Sequence, residues 1–198
     1  VDYHMGNLGS VRRALEECGA DVILSDDPHD LKKSDRFVLP GVGAFGDGMD
    51  HLNHSGWTVQ IRNAVADGLP MLGICLGMQL LFEKGDEGGE TAGLAIIPGE
   101  VKRFEPGTLD VRIPHVGWNE VRHTRPFPLF EKIPSGTDFY FVHSYRAIPA
   151  KAGHIIAETP YCGTFASAVA SGNVLGVQFH PEKSGRPGFQ LLRNFLKF

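Results

Sequence analysis

Apolar and polar positions follow two different rhythms along this chain, and the change of rhythm divides it into halves. Near the start, Leu8, Val11, Ala14, Leu15 and Cys18 recur at helical spacing and Gly19 follows as a stop, which predicts a helix. Asp21–Ser25 (D-V-I-L-S) then reads as a strand, and Phe37-Val38-Leu39, closed by Pro40-Gly41, as another. Residues 57–67 set Ile61, Ala64 and Val65 on one side of a helix that Gly68 and Pro70 end. Met71-Leu72-Gly73-Ile74 has no polar position, as a strand buried on both faces would have none. Met78–Lys84 reads as the helix after it. Strands and helices alternating over short links predict a largely parallel sheet covered by helices on both faces.

From Gly99 the rhythm shortens. Glu100–Phe104, Thr137–Val142, Tyr145–Ile148, His154–Glu158, Phe165–Ala170 and Val174–Phe179 read as consecutive short strands, hence hairpins or an antiparallel extension. A last helix is expected over about Pro187–Leu196. No linker, repeat or boundary interrupts the pattern, so residues 1–198 read as one domain. The polar, Gly-rich stretch Lys84–Thr91 is expected to be the most flexible loop. The chain opens at Val1 without a methionine, and a few residues of a first strand are expected ahead of it.

Composition narrows the class. Apolar residues make up 42% and charged residues 21%, which excludes disorder as the overall state. Lys plus Arg number 19 against 23 Asp plus Glu, so there is no basic footprint for nucleic acid. The 25 glycines exceed the roughly 14 that an average of ~7% would give, and they imply many tight turns. Cys18, Cys75 and Cys162 are too few and too scattered for a disulfide framework or a C-x-x-C metal site, and they fit a reduced, cytoplasmic setting. No apolar run reaches the ~18 residues of a membrane span, and no signal peptide is visible. His51 and His54 can share a helix face, but no third ligand accompanies them, so no metal is assigned. With no P-loop and no G-x-G-x-x-G fingerprint, no cofactor is assigned either.

The chemistry concentrates at Leu72-Gly73-Ile74-Cys75-Leu76-Gly77-Met78-Gln79. A buried strand runs into Cys75, a helix starts at once, and glycines stand two residues to either side, the spacing of a nucleophile elbow. Side chains at the flanking positions would collide in so tight a turn. The sulfur gains exposure at the carboxyl end of a strand, and a helix N-terminus favours its thiolate. A thiol nucleophile needs a base, and the base an orienting group. Val177-Gln178-Phe179-His180-Pro181-Glu182 supplies both: residues i and i+2 of an extended segment point the same way, which would present imidazole and carboxylate together. An oxyanion hole would take the backbone N–H of Leu76 and a second donor from Pro40-Gly41-Val42-Gly43.

Three of these pieces, P-G-V-G at 40–43, G-I-C-L-G-M-Q at 73–79 and H-P-E at 180–182, resemble class I (triad-type) glutamine amidotransferases in type and order. The resemblance implies a flavodoxin-like, mostly parallel sheet flanked by helices, with added antiparallel strands in the C-terminal half. It implies a catalytic triad of Cys75, His180 and Glu182 that hydrolyses glutamine through a γ-glutamyl thioester. It further implies an oxyanion hole from Leu76, Gly41 and Val42, with Gly43, Gln79, Ser144 and Tyr145 binding substrate. Gly6-Asn7-Leu8-Gly9-Ser10, Pro114–Asn119, Phe141–Tyr145 and Lys183-Ser184-Gly185 look most like the glutaminase-subunit branch of imidazole glycerol phosphate synthase. The partner implied is a separate (β/α)₈ cyclase subunit forming a heterodimer, with Asn7, Ser10, Trp118, Asn119 and Lys183 as docking residues. The rivals are an anthranilate or aminodeoxychorismate type of amidotransferase, a γ-glutamyl peptidase, and a non-catalytic amidotransferase-like binding subunit.

Overall fold

The structure, a computed structural model, describes residues 1–105, 107 and 111–198. The helices are α1 (Leu8–Glu17), α2 (Phe45–His54), α3 (Trp57–Ala66), α4 (Leu76–Gln79) and α5 (Gly185–Phe195). The strands are β1 (Phe37–Leu39), β2 (Met71–Ile74), β3 (Phe82–Gly85), β4 (Thr91–Ala92), β5 (Ile97–Arg103) and β6 (His115–His123). They continue with β7 (Thr137–His143), β8 (Tyr145–Pro149), β9 (Ile155–Pro160), β10 (Thr164–Ser171) and β11 (Val174–Val177).

A seven-stranded sheet runs β1-β2-β11-β10-β9-β6-β7. Its β1, β2 and β11 are parallel, and every later pairing is antiparallel. A second sheet, β4-β3-β5-β8, stands beside it. The period-2 alternation of β2 sorts the core. Met71 packs with α2 and α3 on one side, while Leu72 and Ile74 pack with α1 and α5 on the other. A parallel core flanked by helices and extended by antiparallel strands from the C-terminal half is the architecture expected from the sequence. No described helix is long and apolar enough to cross a membrane.

Two local expectations are corrected. Asp21–Ser25 is not a strand: one backbone bond, from Asp2 N–H to the Ser25 carbonyl (2.9 Å), ties it down, and Ile23 and Leu24 are 54% and 43% exposed. The segment pairs with no described strand, and its Val22 and Leu24 line a groove of about 470 Å³ together with Val11, Leu15, Phe37 and Val38. Met78–Lys84 is not a helix. The Leu80, Leu81 and Phe82 carbonyls accept from Leu94, Ile96 and Ala95 N–H instead of from their own helix, so α4 stops after one turn and β3 follows. Residues 76–82 are all buried, and a stretch without a polar face has no helical stripe to set. Lys84–Thr91 runs from the end of β3 through a connecting turn into β4, with Lys84 and Glu90 2.6 Å apart. Strand β6 was not foreseen, because Gly117 and Asn119 interrupt its pattern; seven register pairs with β7 hold it.

Candidate active site

Strand β2 delivers Cys75 onto a backbone turn with φ 54° and ψ −111°, a region that L-residues other than glycine seldom occupy. Its N–H is fixed by the Val177 carbonyl (2.8 Å), and its carbonyl accepts from Met78 and Gln79 N–H. The flanking glycines have steric causes. A Cβ on Gly73 would lie 2.6 Å from the Gly77 carbonyl oxygen, and one on Gly77 would lie 1.8 Å from that of Leu39. The sulfur is mostly buried, 3.9 Å from the Val142 carbonyl oxygen and 3.7 Å from Gln178 Nε2.

His180 follows β11, and its Nδ1 meets Glu182 Oε1 at 2.8 Å with both side chains almost wholly buried. The route differs from the expected extended segment. His180 is extended, but Pro181–Lys183 forms a 3₁₀ turn that folds the carboxylate back onto the ring. The segment is pinned to β7: His180 N–H donates to the Tyr140 carbonyl, Ser184 Oγ–H to the His180 carbonyl, and Tyr140 N–H to Ser184 Oγ. Ser184 is thus a supporting residue that nothing in its spacing revealed.

Burial alone would depress His180, but hydrogen bonding and charge from Cys75 and from Glu182 outweigh it, and the imidazole is raised to about 9. Its buried Nε2 faces no oxygen or nitrogen partner among the described residues, which leaves Cys75 as the group acting on that side of the ring. A raised folded-state value fixes the sign of the linkage. The stability that the imidazolium gains from Cys75 and Glu182 is whole below the ordinary value of 6.5 and is lost as pH rises through about 9. Thermal unfolding of Glu182→Gln should fall furthest below wild type at the acid end of that window and converge on it above. A gap that widened with pH would contradict the assignment.

The Pro40–Gly43 loop lies against the elbow. A Cβ on Gly41 would sit 3.1 Å from Leu76 Cβ, 3.3 Å from Gly77 N and 2.2 Å from the Tyr3 hydroxyl oxygen. Leu76 opens α4, where first-turn N–H groups have no intrahelical acceptor. Gly43 is at φ 114°, and Val42 is exposed. Tyr3, whose buried hydroxyl has no partner among the described residues, is a neighbour that the sequence did not flag. Gln79 Nε2 donates to the Tyr145 carbonyl (3.1 Å) and to Gln178 Oε1 (2.9 Å), and the Ser144 carbonyl accepts from Phe104 N–H. Gln79 and the Tyr145 backbone are therefore brought together beside Gln178, two residues ahead of His180, while the contact shown for Ser144 is with Phe104.

Of the expected docking residues, Trp118 is 57% exposed and stacks edge-on against Tyr140, over which Lys183 Nζ lies at 5.9 Å. Asn7 is exposed and caps α1 by accepting from Ser10 N–H. Asn119 is turned inward, bonded to His115 Nε2 and the Pro160 carbonyl. His51 and His54 lie on an exposed stretch of α2, and no group of three metal-ligating side chains occurs among the described residues.

A cysteine on a strand-to-helix turn and a buried imidazole–carboxylate pair after the neighbouring strand are the parts that a cysteine acyl-transfer enzyme on an α/β sheet requires. The class I glutamine amidotransferase family model matches residues 1–198, and the chain belongs to that family. It is 50% identical over 195 residues to "Imidazole glycerol phosphate synthase subunit HisH" of Moorella thermoacetica, covering 98% of this chain and 91% of the relative. It is 46% identical to the HisH subunit of Syntrophotalea carbinolica, over 98% of this chain and 97% of that one. A crystal structure of a glutamine amidotransferase superposes with a TM-score of 0.76 at 19% identity, over 98% of this chain and 94% of that one. The glutaminase domain of a Trypanosoma brucei CTPS, with bound acivicin, does so at 0.69 and 19%, over 95% and 86%. These two likenesses concern the fold.

Proposed function

We infer that this chain is the glutaminase subunit of an imidazole glycerol phosphate synthase, a single class I domain whose triad is Cys75, His180 and Glu182. The sulfur on its elbow beside the buried His180–Glu182 pair carries the reading. The thiolate attacks the side-chain amide carbon of glutamine, and the C–N bond breaks as His180 gives its proton to the leaving ammonia. His180 then takes a proton from water, whose oxygen attacks the γ-glutamyl thioester and frees glutamate and the thiol. Glu182 holds the ring by Nδ1 throughout. Developing negative charge on the carbonyl oxygen is met by N–H groups of Leu76 and of Gly41 or Val42. Gly43 and Gln79 contribute to the glutamine site, and the backbone of Ser144 and Tyr145 grips the substrate's α-carboxylate and amino groups.

Ammonia released beside bulk water would be protonated and lost, so the mouth over Cys75 must be covered during turnover. The outward face of β6–β7 supports this. Val116 pairs with Val142 and Trp118 with Tyr140; Val116, Trp118 and Val142 are exposed, as is Val42, and the Val142 carbonyl lies 3.9 Å from the sulfur. The partner is a separate cyclase subunit of (β/α)₈ form that takes the ammonia, and Asn7, Ser10, Trp118 and Lys183 lie on the docking face. The test is reconstitution. Mixed with that cyclase, the wild-type chain should form a heterodimer and release ammonia from glutamine. Trp118→Ala should weaken association by about 30-fold or more, the scale of a ~2 kcal/mol hot spot. Undiminished affinity would move the interface elsewhere, and a partner that uses chorismate would replace the branch.

A further inference from the structure

Gln178 lies between the triad's two segments, yet the mechanism above does not use it. It is wholly buried in the residue after β11, with its backbone N–H on the Ser167 carbonyl (2.9 Å). Its side chain faces the elbow, with Nε2 3.7 Å from Cys75 Sγ and Oε1 2.9 Å from Gln79 Nε2. We propose, on the reading that Cys75 is the nucleophile, that Gln178 stabilises the attacking thiolate by donating its amide N–H to the sulfur, and that Gln79 and the Tyr145 carbonyl fix the sense of that amide.

The sense of the amide follows from one group that cannot turn over. Rotate the Gln178 amide by half a turn and its nitrogen meets the Gln79 nitrogen, donor against donor. Rotate Gln79 as well and its oxygen meets the Tyr145 carbonyl, acceptor against acceptor. Only one arrangement satisfies the row, and it aims an N–H at the sulfur. The Tyr145 carbonyl is itself held from behind. His143 Nδ1 approaches it at 2.8 Å and must carry the proton there, so His143 Nε2 accepts from His115 Nδ1 at 3.0 Å. His115 Nε2 then accepts from Asn119 Nδ2, which also donates to the Pro160 carbonyl. The relay needs both rings neutral, and burial pushes His115 down to about 4 and His143 to about 3.

A donor at the sulfur also answers a need that the short α4 creates. Four residues supply little macrodipole, so the stabilisation expected from a helix N-terminus is small here. Direct hydrogen bonds to a charged group are stronger than neutral ones, and the donor here is wholly buried.

The experiment reads the pH profile of Cys75 alkylation by iodoacetamide, in which the thiolate displaces iodide, with mass mapping of the label on the full chain. Gln178→Met keeps the volume and removes the donor; its profile midpoint should move up by about one pH unit, a tenfold loss of thiolate at fixed pH. Gln178→Glu sets an anion against the sulfur and should move it further. Gln79→Met frees the Gln178 amide to turn and should give a smaller shift in the same direction. The other titratable neighbours of the sulfur, His180 and Tyr3, are unchanged in all three. In the reconstituted complex the Gln178→Met loss should fall on kcat, with KM for glutamine changed less than about threefold. In the unaltered protein, whatever the variants' folding, the Gln178 side-chain amide protons should shift downfield in nuclear magnetic resonance as the thiol ionises. A folded Gln178→Met with the wild-type profile, or amide protons indifferent to ionisation, overturns the role of Gln178. Absence of any label on Cys75 overturns the nucleophile assignment instead.

Discussion

Replacing Cys75 with Ala should abolish glutamine-dependent synthesis by the complex, by roughly 10⁶-fold, the scale of nucleophile deletions in other triad hydrolases. Synthesis from added ammonium salts should survive. The argument is structural as well as chemical. The elbow is held by backbone: the Cys75 N–H to the Val177 carbonyl, the Cys75 carbonyl to Met78 and Gln79, and glycine contacts on either side. The sulfur contributes only two long contacts to that framework, at 3.9 Å and 3.7 Å. Alanine carries the same Cβ into the same turn, so the fold and the docking face should persist while the thioester cannot form. Measurement of both reactions in one preparation separates the outcomes. Loss of both would mean that the substitution disturbs the complex, and retention of glutamine hydrolysis would mean that another residue attacks.

How much of this was legible in the sequence depended on whether the cause was local. The elbow was, because its glycines answer clashes within five residues of Cys75 and with the adjoining strand end. The His180–Glu182 pair was also legible, although the turn that joins them is 3₁₀ and not extended. Helices α1, α3 and α5 showed their apolar stripes. What failed was decided by distant neighbours. Asp21–Ser25 has strand composition but no ladder, and the end of α4 is set by residues 94–97 taking its carbonyls. Strand β6 carries glycine and asparagine in its interior and is a strand because β7 lies beside it. Within the site, Tyr3, Ser184 and Gln178 emit no spacing signal. Gln178 stood inside a quoted motif and still revealed nothing, because its meaning lies in which way an amide faces. Trp118 is 57% exposed, a placement that a tryptophan's residue type alone does not decide.

Gly77→Ala should cost more stability than any change to the triad, about 4 kcal/mol or more, and should cripple the enzyme even where it still folds. The added Cβ would lie 1.8 Å from the Leu39 carbonyl oxygen and 2.8 Å from its carbonyl carbon, both backbone atoms of β1. Neither can swing aside as a side chain would. Either β1 leaves its parallel ladder with β2, where Leu39 pairs with Gly73, or the elbow itself moves away from β1. The second route displaces Cys75, and a shift of about 1 Å at the reacting atom is worth about 10²-fold in rate. Gly9→Ala is the matched control. Nothing lies within 4 Å of a Cβ there, and the position is inside α1, so stability should rise by about 0.4–1 kcal/mol. Thermal or urea unfolding of the two variants reads both signs at once. If Gly77→Ala unfolds like wild type, the close packing of the elbow against β1 is wrong, and with it the reason a glycine must stand two residues past the nucleophile.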